Sequence, residues 1–344
     1  MKTGILLMNL GSPAAPRTPQ LRRYLRQFLT DPRVIDLPTV PRHLLVRGII
    51  TPFRAPKSAA AYRSVWTDEG APLIVLSKRL LSAVKAALPD VDVALAMRYG
   101  EPTIEQGLAE LRAAGCDRVL LSPLYPHYAS SSTGSSLAEA YHQAGKLWNT
   151  PFLSVLPPFF DDAQYIHALA ETGRGILAEL EPDHVLFSYH GLPERHCRKS
   201  DDTGAHCLAS ESCCDDLVEA NRNCYRAQCF ATSRALQAAL GLDDQVVTTT
   251  FQSRLGRDPW IRPYTDEAVE QLARDGVKKV AVFCPAFTAD CLETIEEIGV
   301  EARESFQEHG GEELVLVPSL NDSAPWIEAL ISLCRRALPE GALG

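Results

Sequence analysis

Eight short apolar runs separated by amphipathic stretches constrain this chain more than any other feature. Residues 4–10, 93–99, 118–124 and 152–156 form one set, and 184–189, 245–251, 279–284 and 313–317 form a second. They are continuous rather than alternating, the signature of strands buried on both faces of a parallel sheet. The stretches between them carry helix punctuation: Thr103 stands at an N-cap position and Gly115 just past a helix end. The two sets share a plan. Gly115–Pro123 and Gly276–Pro285 each read as helix end, strand and then proline, about half a chain apart. The fold class is therefore α/β, with two similar doubly wound (Rossmann-like) domains, each holding a four-stranded parallel sheet. A length of 344 residues suits two domains of about 150 residues each. We place the first at 1–160 and the second at 161–322, with a cysteine-rich insertion at 197–229 and a final helix at 323–344 that packs back on the first domain.

Several function classes drop out. Apolar residues make up 46% of the chain and charged ones 22%, unlike a disordered chain or a coiled coil. No apolar run reaches the roughly 20 residues that cross a bilayer. The start, Met1–Gly11, reads as a buried strand and not as a signal peptide, so a cytoplasmic location is expected. A net charge of −9 argues against nucleic acid as a partner. No Gly-x-Gly-x-x-Gly or Walker loop follows any strand, so no nucleotide is expected.

Open α/β sheets bind ligands outside the carboxyl ends of their strands. The fifth run ends in Ser188-Tyr189-His190-Gly191-Leu192-Pro193, which brings His190 to such an end. After the seventh run, Glu293, Glu297 and Glu301 recur at i, i+4 and i+8, one face of a helix, with no basic residue before Arg303. Such a row is usually a solvated face; at a strand's carboxyl end it is also a path for protons or hard cations. Asp290 lies one turn earlier, near the positive helix end.

Phe187–Glu194, Thr250–Trp260 and Pro285–Glu301, with Ser122–Tyr128 and Thr133–Leu137, together resemble ferrochelatases. The likeness runs from Ile5 to about Asn321 and breaks only near 197–223. It implies a chelatase fold with a porphyrin cleft between the domains, and insertion of ferrous iron into protoporphyrin IX to make protoheme. By that likeness His190 is the metal contact and proton acceptor, Glu293 faces it, and Glu297, Glu301 and Asp290 attend the substrate iron. Leu10, Tyr24, Phe28, Arg98, Tyr99, Ser136, Trp260 and Phe287 are the implied porphyrin-binding positions. The family's helix carries a π-type bulge that spacing alone does not reveal. Residues 44–53 fall where the family keeps a lip over the pocket, and we expect peripheral membrane contact there, at the inner face. The N-terminal Leu10-Gly11-Ser12-Pro13 favours protoporphyrin IX over coproporphyrin III. A cobalt chelatase and a non-catalytic tetrapyrrole-binding iron–sulfur protein are the remaining alternatives. Monomer and homodimer stay open.

Ten cysteines are many for a reducing compartment, and six of them fall between Cys197 and Cys229. Disulfides, a structural zinc and a [2Fe–2S] cluster all fit a thiol-rich segment; Cys-x2-Cys knuckles for zinc are absent. The resemblance extends to family members with an internal iron–sulfur insertion and so implies a [2Fe–2S] cluster. Cys207, Cys213, Cys214 and Cys224 are its expected ligands, with Cys229 and then Cys197 in reserve. Cys116, Cys284, Cys291 and Cys334 read as packing residues.

Overall fold

All eight expected strands form, with ends within two residues of those read from the sequence. A computed structural model of the chain describes residues 1–256 and 258–339. The first sheet contains β1 (Thr3–Asn9), β2 (Asp92–Met97), β3 (Arg118–Pro123) and β4 (Phe152–Val155), in the order β2-β1-β3-β4. The second contains β5 (His184–His190), β6 (Val247–Gln252), β7 (Lys279–Phe283) and β8 (Glu313–Leu316), in the order β6-β5-β7-β8. Every pairing is parallel. The permutation is the same in both sheets, which is the structural form of the repeat seen in the sequence.

The chain divides into two compact units. One comprises Met1–Tyr125, Ser130–Pro157 and the chain from Leu330 onward; the other comprises Pro126–Ala129 and Pro158–Ala329. Each has its own core. In the first, Leu6 and Met8 of the central strand pack with Ala94, Ala96, Val119 and Leu121 and with Ile104, Leu108 and Leu111 of the following helix. In the second, Leu186, Val280, Val282 and Leu314 pack with Val269, Ile298 and Phe306. The continuous apolar runs are thus explained: a central strand covered on both faces has no polar side to show.

Helix ends follow local rules. Thr103 closes a capping box: its hydroxyl accepts from the Gln106 amide at 3.2 Å while the Gln106 side chain accepts from the Thr103 amide at 2.7 Å. Gly115 and Gly276 both take left-handed backbone just past a helix, at φ 81° and 90°. The final helix runs Ala324–Arg336, shorter than the 323–344 expected; residues 340–344 of that stretch lie outside the described residues. Among the described residues no helix is long and apolar enough to cross a membrane.

One close approach sets the cover of the second sheet. Helix Ala163–Leu180 brings Gly173 against the ring of Phe283, which is itself edge-on to Phe187 at 5.7 Å between centroids. A β-carbon at Gly173 would overlap that ring, and Phe283 is buried with no room to turn. Gly173→Ala is therefore expected to destabilise the fold by about 1–3 kcal/mol, the usual cost of overpacking, despite alanine's better helix propensity. Thermal unfolding followed by circular dichroism checks this; an unchanged or higher midpoint would refute it.

Candidate active site

Parallel pairing of β5 with β6 puts His190 opposite Gln252 at the carboxyl ends of both strands. The His190 ring is half-buried, and its Nδ1 lies 2.6 Å from the Gly191 carbonyl oxygen. A carbonyl only accepts, so Nδ1 carries the hydrogen and Nε2 of the neutral ring keeps its lone pair. Two aromatic rings flank the imidazole, Trp260 and Phe287, each 6.4 Å away between centroids. Trp260 is held by its indole N–H, which donates to the Leu255 carbonyl at 2.9 Å. Both residues expected as walls thus sit beside the histidine.

The acidic helix differs from a simple α-helical row. It starts at Leu292–Ile295, widens into a π segment over Glu297–Ala302, and resumes as α-helix over Arg303–Glu308. The amides of Val300 and Glu301 both donate to the Glu296 carbonyl, at 3.1 and 2.9 Å. In a regular α-helix four residues overshoot one turn, so an i, i+4 row drifts around the axis. The wider turn counters that drift. Exposure is graded along the row: Glu293 and Glu297 are half-buried and Glu301 is exposed. The Glu297 carboxylate accepts from the Ser253 amide at 2.6 Å and from its hydroxyl at 2.5 Å. Burial pushes the Glu297 pKa up, opposed by the Ser253 bonds and by nearby His190, and the net direction is upward.

Three site residues were not read from the sequence. Glu296 has its pKa pushed up to about 7, by burial and then by the charges of Glu301, Glu297 and Glu293. Gln252 and Ser253 join the strand end to the acidic helix. Asp290, by contrast, has its oxygens engaged elsewhere. They accept from Asn321 Nδ2 at 2.8 Å, Thr294 Oγ1 at 3.0 Å and the Ser319 amide at 3.2 Å. This is a clamp on the helix start, so the expectation of Asp290 as an iron ligand gives way to a structural role.

In the first unit the expected pocket positions differ in burial and bonding. Leu10 and Phe28 are half-buried, with Phe28 5.0 Å from Tyr99 and 6.2 Å from Tyr24 between ring centroids. The Tyr24 hydroxyl donates to the Gly11 carbonyl at 3.0 Å. Arg98 and Tyr99, expected as porphyrin contacts, both bond to Asp31. One Asp31 oxygen receives Arg98 at 2.6 Å, the Tyr99 hydroxyl at 2.9 Å and the Ser135 hydroxyl at 2.6 Å. Tyr99 is fully buried, as is Ser136, which meets the Tyr125 hydroxyl at 3.2 Å. Asp31 is held as an anion: these bonds and the Arg98 charge outweigh its burial and lower its pKa. No spacing signal marks Asp31, because Arg98 lies 67 residues away.

Residues 39–65 form a helical run, Thr39–Leu44, a π segment Leu45–Ile50, and Thr51–Val65, rather than an irregular lip. Val40, Leu44, Ile49 and Phe53 on it are 59–75% exposed. No acidic residue occurs between Asp36 and Asp68, whereas Arg42, Arg47, Arg54, Lys57 and Arg63 do.

The cysteine insertion is a loop organised by one aspartate. Asp201 accepts from the Thr203 amide and hydroxyl and from the amides of His206 and Cys207, at 2.6–2.9 Å. All ten cysteines are buried and unpaired by disulfides. Cys213 and Cys214 sulfurs are 3.7 Å apart, and Arg226 reaches Cys214 Sγ at 3.1 Å. The Cys224 thiol is pushed up to about 11 by bonding with Cys197, by burial and by the Cys197 charge. Cys207 and Cys214 also hydrogen-bond with Cys224, and their pKa values are raised too. Of the two reserves, Cys197 hydrogen-bonds with Cys224, and Cys229 hydrogen-bonds with Tyr225; both are buried. Among the described residues no group of three or more His, Cys, Asp or Glu side chains has the arrangement of a ready metal site.

These features match known proteins over nearly the whole chain. The family profile described as Ferrochelatase matches residues 2–338. The ferrochelatase of Pseudomonas fluorescens (strain Pf0-1) is 51% identical over 97% of each chain. That of Coxiella burnetii (strain Dugway 5J108-111) is 45% identical over 98% of this chain and 94% of its own. Among solved structures, SirB from Bacillus subtilis with Fe3+ superposes with a TM-score of 0.55 at 16% identity, covering 98% of this chain and 96% of that one, a likeness of fold.

The crowding at Glu296 makes a stability prediction. An acid whose pKa is raised on folding favours the folded state at low pH and opposes it as pH rises from its unfolded value toward 7. Glu296→Gln should therefore melt at a higher temperature than the parent at pH 8, with the advantage fading toward pH 5. Thermal melts across that range decide it; a pH-independent difference would refute the assignment.

Proposed function

The chain belongs to the ferrochelatase family and inserts ferrous iron into a porphyrin in heme synthesis, and from that premise we propose how its residues carry the reaction. Each insertion releases two pyrrole protons and brings a dication to four nitrogens. His190 accepts a proton and contacts the metal through Nε2. The observation that carries this reading is the bond from Nδ1 to the Gly191 carbonyl, which leaves Nε2 with its lone pair. Glu293 faces the same reaction as the second base. Glu297 and Glu301 deliver the cation: their negative charges draw Fe²⁺ inward from exposed to half-buried positions. Trp260 and Phe287 contact the macrocycle near the imidazole.

The porphyrin we propose is protoporphyrin IX. By resemblance, chains specific for coproporphyrin carry a tyrosine near positions 10 and 11. Gly11 stands at φ 102°, and a β-carbon there would overlap the Tyr99 carbonyl, which supports the absence of any side chain at that position. The exposed apolar and acid-free helix around residues 39–65 supports peripheral attachment to an anionic lipid surface. Cosedimentation with vesicles containing anionic lipid, lost in Leu44→Glu with Phe53→Glu, is the expected result.

The donor set of the insertion suits a [2Fe–2S] cluster bound by Cys207, Cys213, Cys214 and Cys224. Their thiols are buried neighbours, and the Leu208 amide and Arg226 both donate toward sulfur, against the burial and mutual contacts that raise the thiol pKa values. Such a cluster, when bound, supplies a one-electron redox couple and a covalent staple for the loop. Replacing any one of the four with serine should bleach a red-brown protein and lower its iron and sulfide content. A colourless parent containing zinc would overturn the cluster.

His190→Ala should lower the metallation rate by about 10²–10⁴-fold while porphyrin binding, read by fluorescence quenching, persists. Assays with protoporphyrin IX and coproporphyrin III in parallel test the substrate; a higher kcat/KM on the latter would reassign it.

A further inference from the structure

The sharpest feature outside the expected site is the pair that ends β6. Ser253 has φ 66°, left-handed backbone that non-glycine residues rarely adopt. That conformation turns its amide and hydroxyl to one side, where they meet both oxygens of Glu297, at 2.6 and 2.5 Å. Strain kept at a site generally has a function there. Gln252, one residue earlier and buried, binds in three directions. Its carbonyl accepts the Gly191 amide at 2.7 Å, directly beyond His190. Its Nε2 donates to the Glu293 carbonyl at 2.6 Å and its Oε1 accepts from the Ser188 hydroxyl at 2.7 Å. The amide orientation is fixed, since the Glu293 carbonyl can only accept.

We propose that Ser253 and Gln252 are positioning residues for iron entry: Ser253 holds the Glu297 carboxylate in one orientation by two donors, and Gln252 locks the Glu293 turn to the His190 loop. The inference rests on the reading of Glu297 as part of the cation route. A carboxylate with each oxygen already accepting a hydrogen bond cannot swing to wrap a cation. It passes the ion on and does not retain it. The neighbouring carboxylates lack this grip: Glu301 is exposed, and only Glu297 receives both Ser253 donors.

The test uses Ser253→Gly in the full chain. Glycine takes φ 66° without strain and keeps the amide donor, so the fold is retained and only the hydroxyl bond is lost. Hydrogen bonds to charged groups are strong enough that about a tenfold fall in kcat/KM for Fe²⁺ is expected, with porphyrin KM and melting temperature unchanged. The same substitution in a Glu297→Ala background should have no further effect, because its target is gone. Gln252→Ala is expected to lower kcat, with the KM for Fe²⁺ less affected. Equal losses from Ser253→Gly with and without Glu297, or an unchanged kcat/KM for Fe²⁺, would overturn the proposal. If Glu297→Ala itself leaves kcat/KM for Fe²⁺ intact, the reading of the acidic row fails instead, and the two failures are distinguishable.

Discussion

The pairing of His190 with Gln252 across two parallel strands is the contact on which the second unit's site depends. Parallel ladders hold their register firmly when both faces are buried, because a one-residue slip would move every side chain to the opposite face, into packing shaped for its neighbour. That rigidity fixes where β5 and β6 stop. At that edge one strand contributes an imidazole, and the other contributes an amide that binds the Gly191 backbone and the acidic helix.

Electrostatics then works against the fold in a useful way. Burial, and then the charges of Glu301, Glu297, Glu293 and Glu304, raise the pKa of Glu296, and burial with the charge of Glu293 raises that of Glu297. A row of anions this crowded favours any arriving dication over bulk water, and the π segment keeps the row facing one way. The cysteine loop has the same logic with softer donors. Its buried thiols raise one another's pKa, and a cation would relieve what protons now relieve. In the first unit the charge is satisfied internally: Asp31 pairs with Arg98 and accepts from Tyr99 and Ser135.

How much of this was legible depends on the range of each signal. Strand positions, the Thr103 cap and the glycine helix ends are set by neighbours within a few residues, so composition and period report them. The strand-end histidine was visible for the same reason. Asp290 misled because an acid at a helix start looks the same whether it faces a ligand or, as here, grips Asn321 from 31 residues away. Among the cysteines, spacing could not separate Cys197, which neighbours Cys224, from Cys229, which packs beside Tyr225.

The sequence by itself determined two doubly wound α/β units, the place of His190 at a strand end, an acidic row after a neighbouring strand and a thiol-rich insertion, because burial and local backbone preference are written residue by residue. Only the tertiary structure decided which groups hold those residues. The Ser253 cradle on Glu297, the Asp31 anchor under Arg98, the π turn and the contact of Cys197 with Cys224 each join residues distant in sequence or depend on a helix widened by its surroundings. Such contacts are made when sheets and helices pack, and no local pattern encodes them.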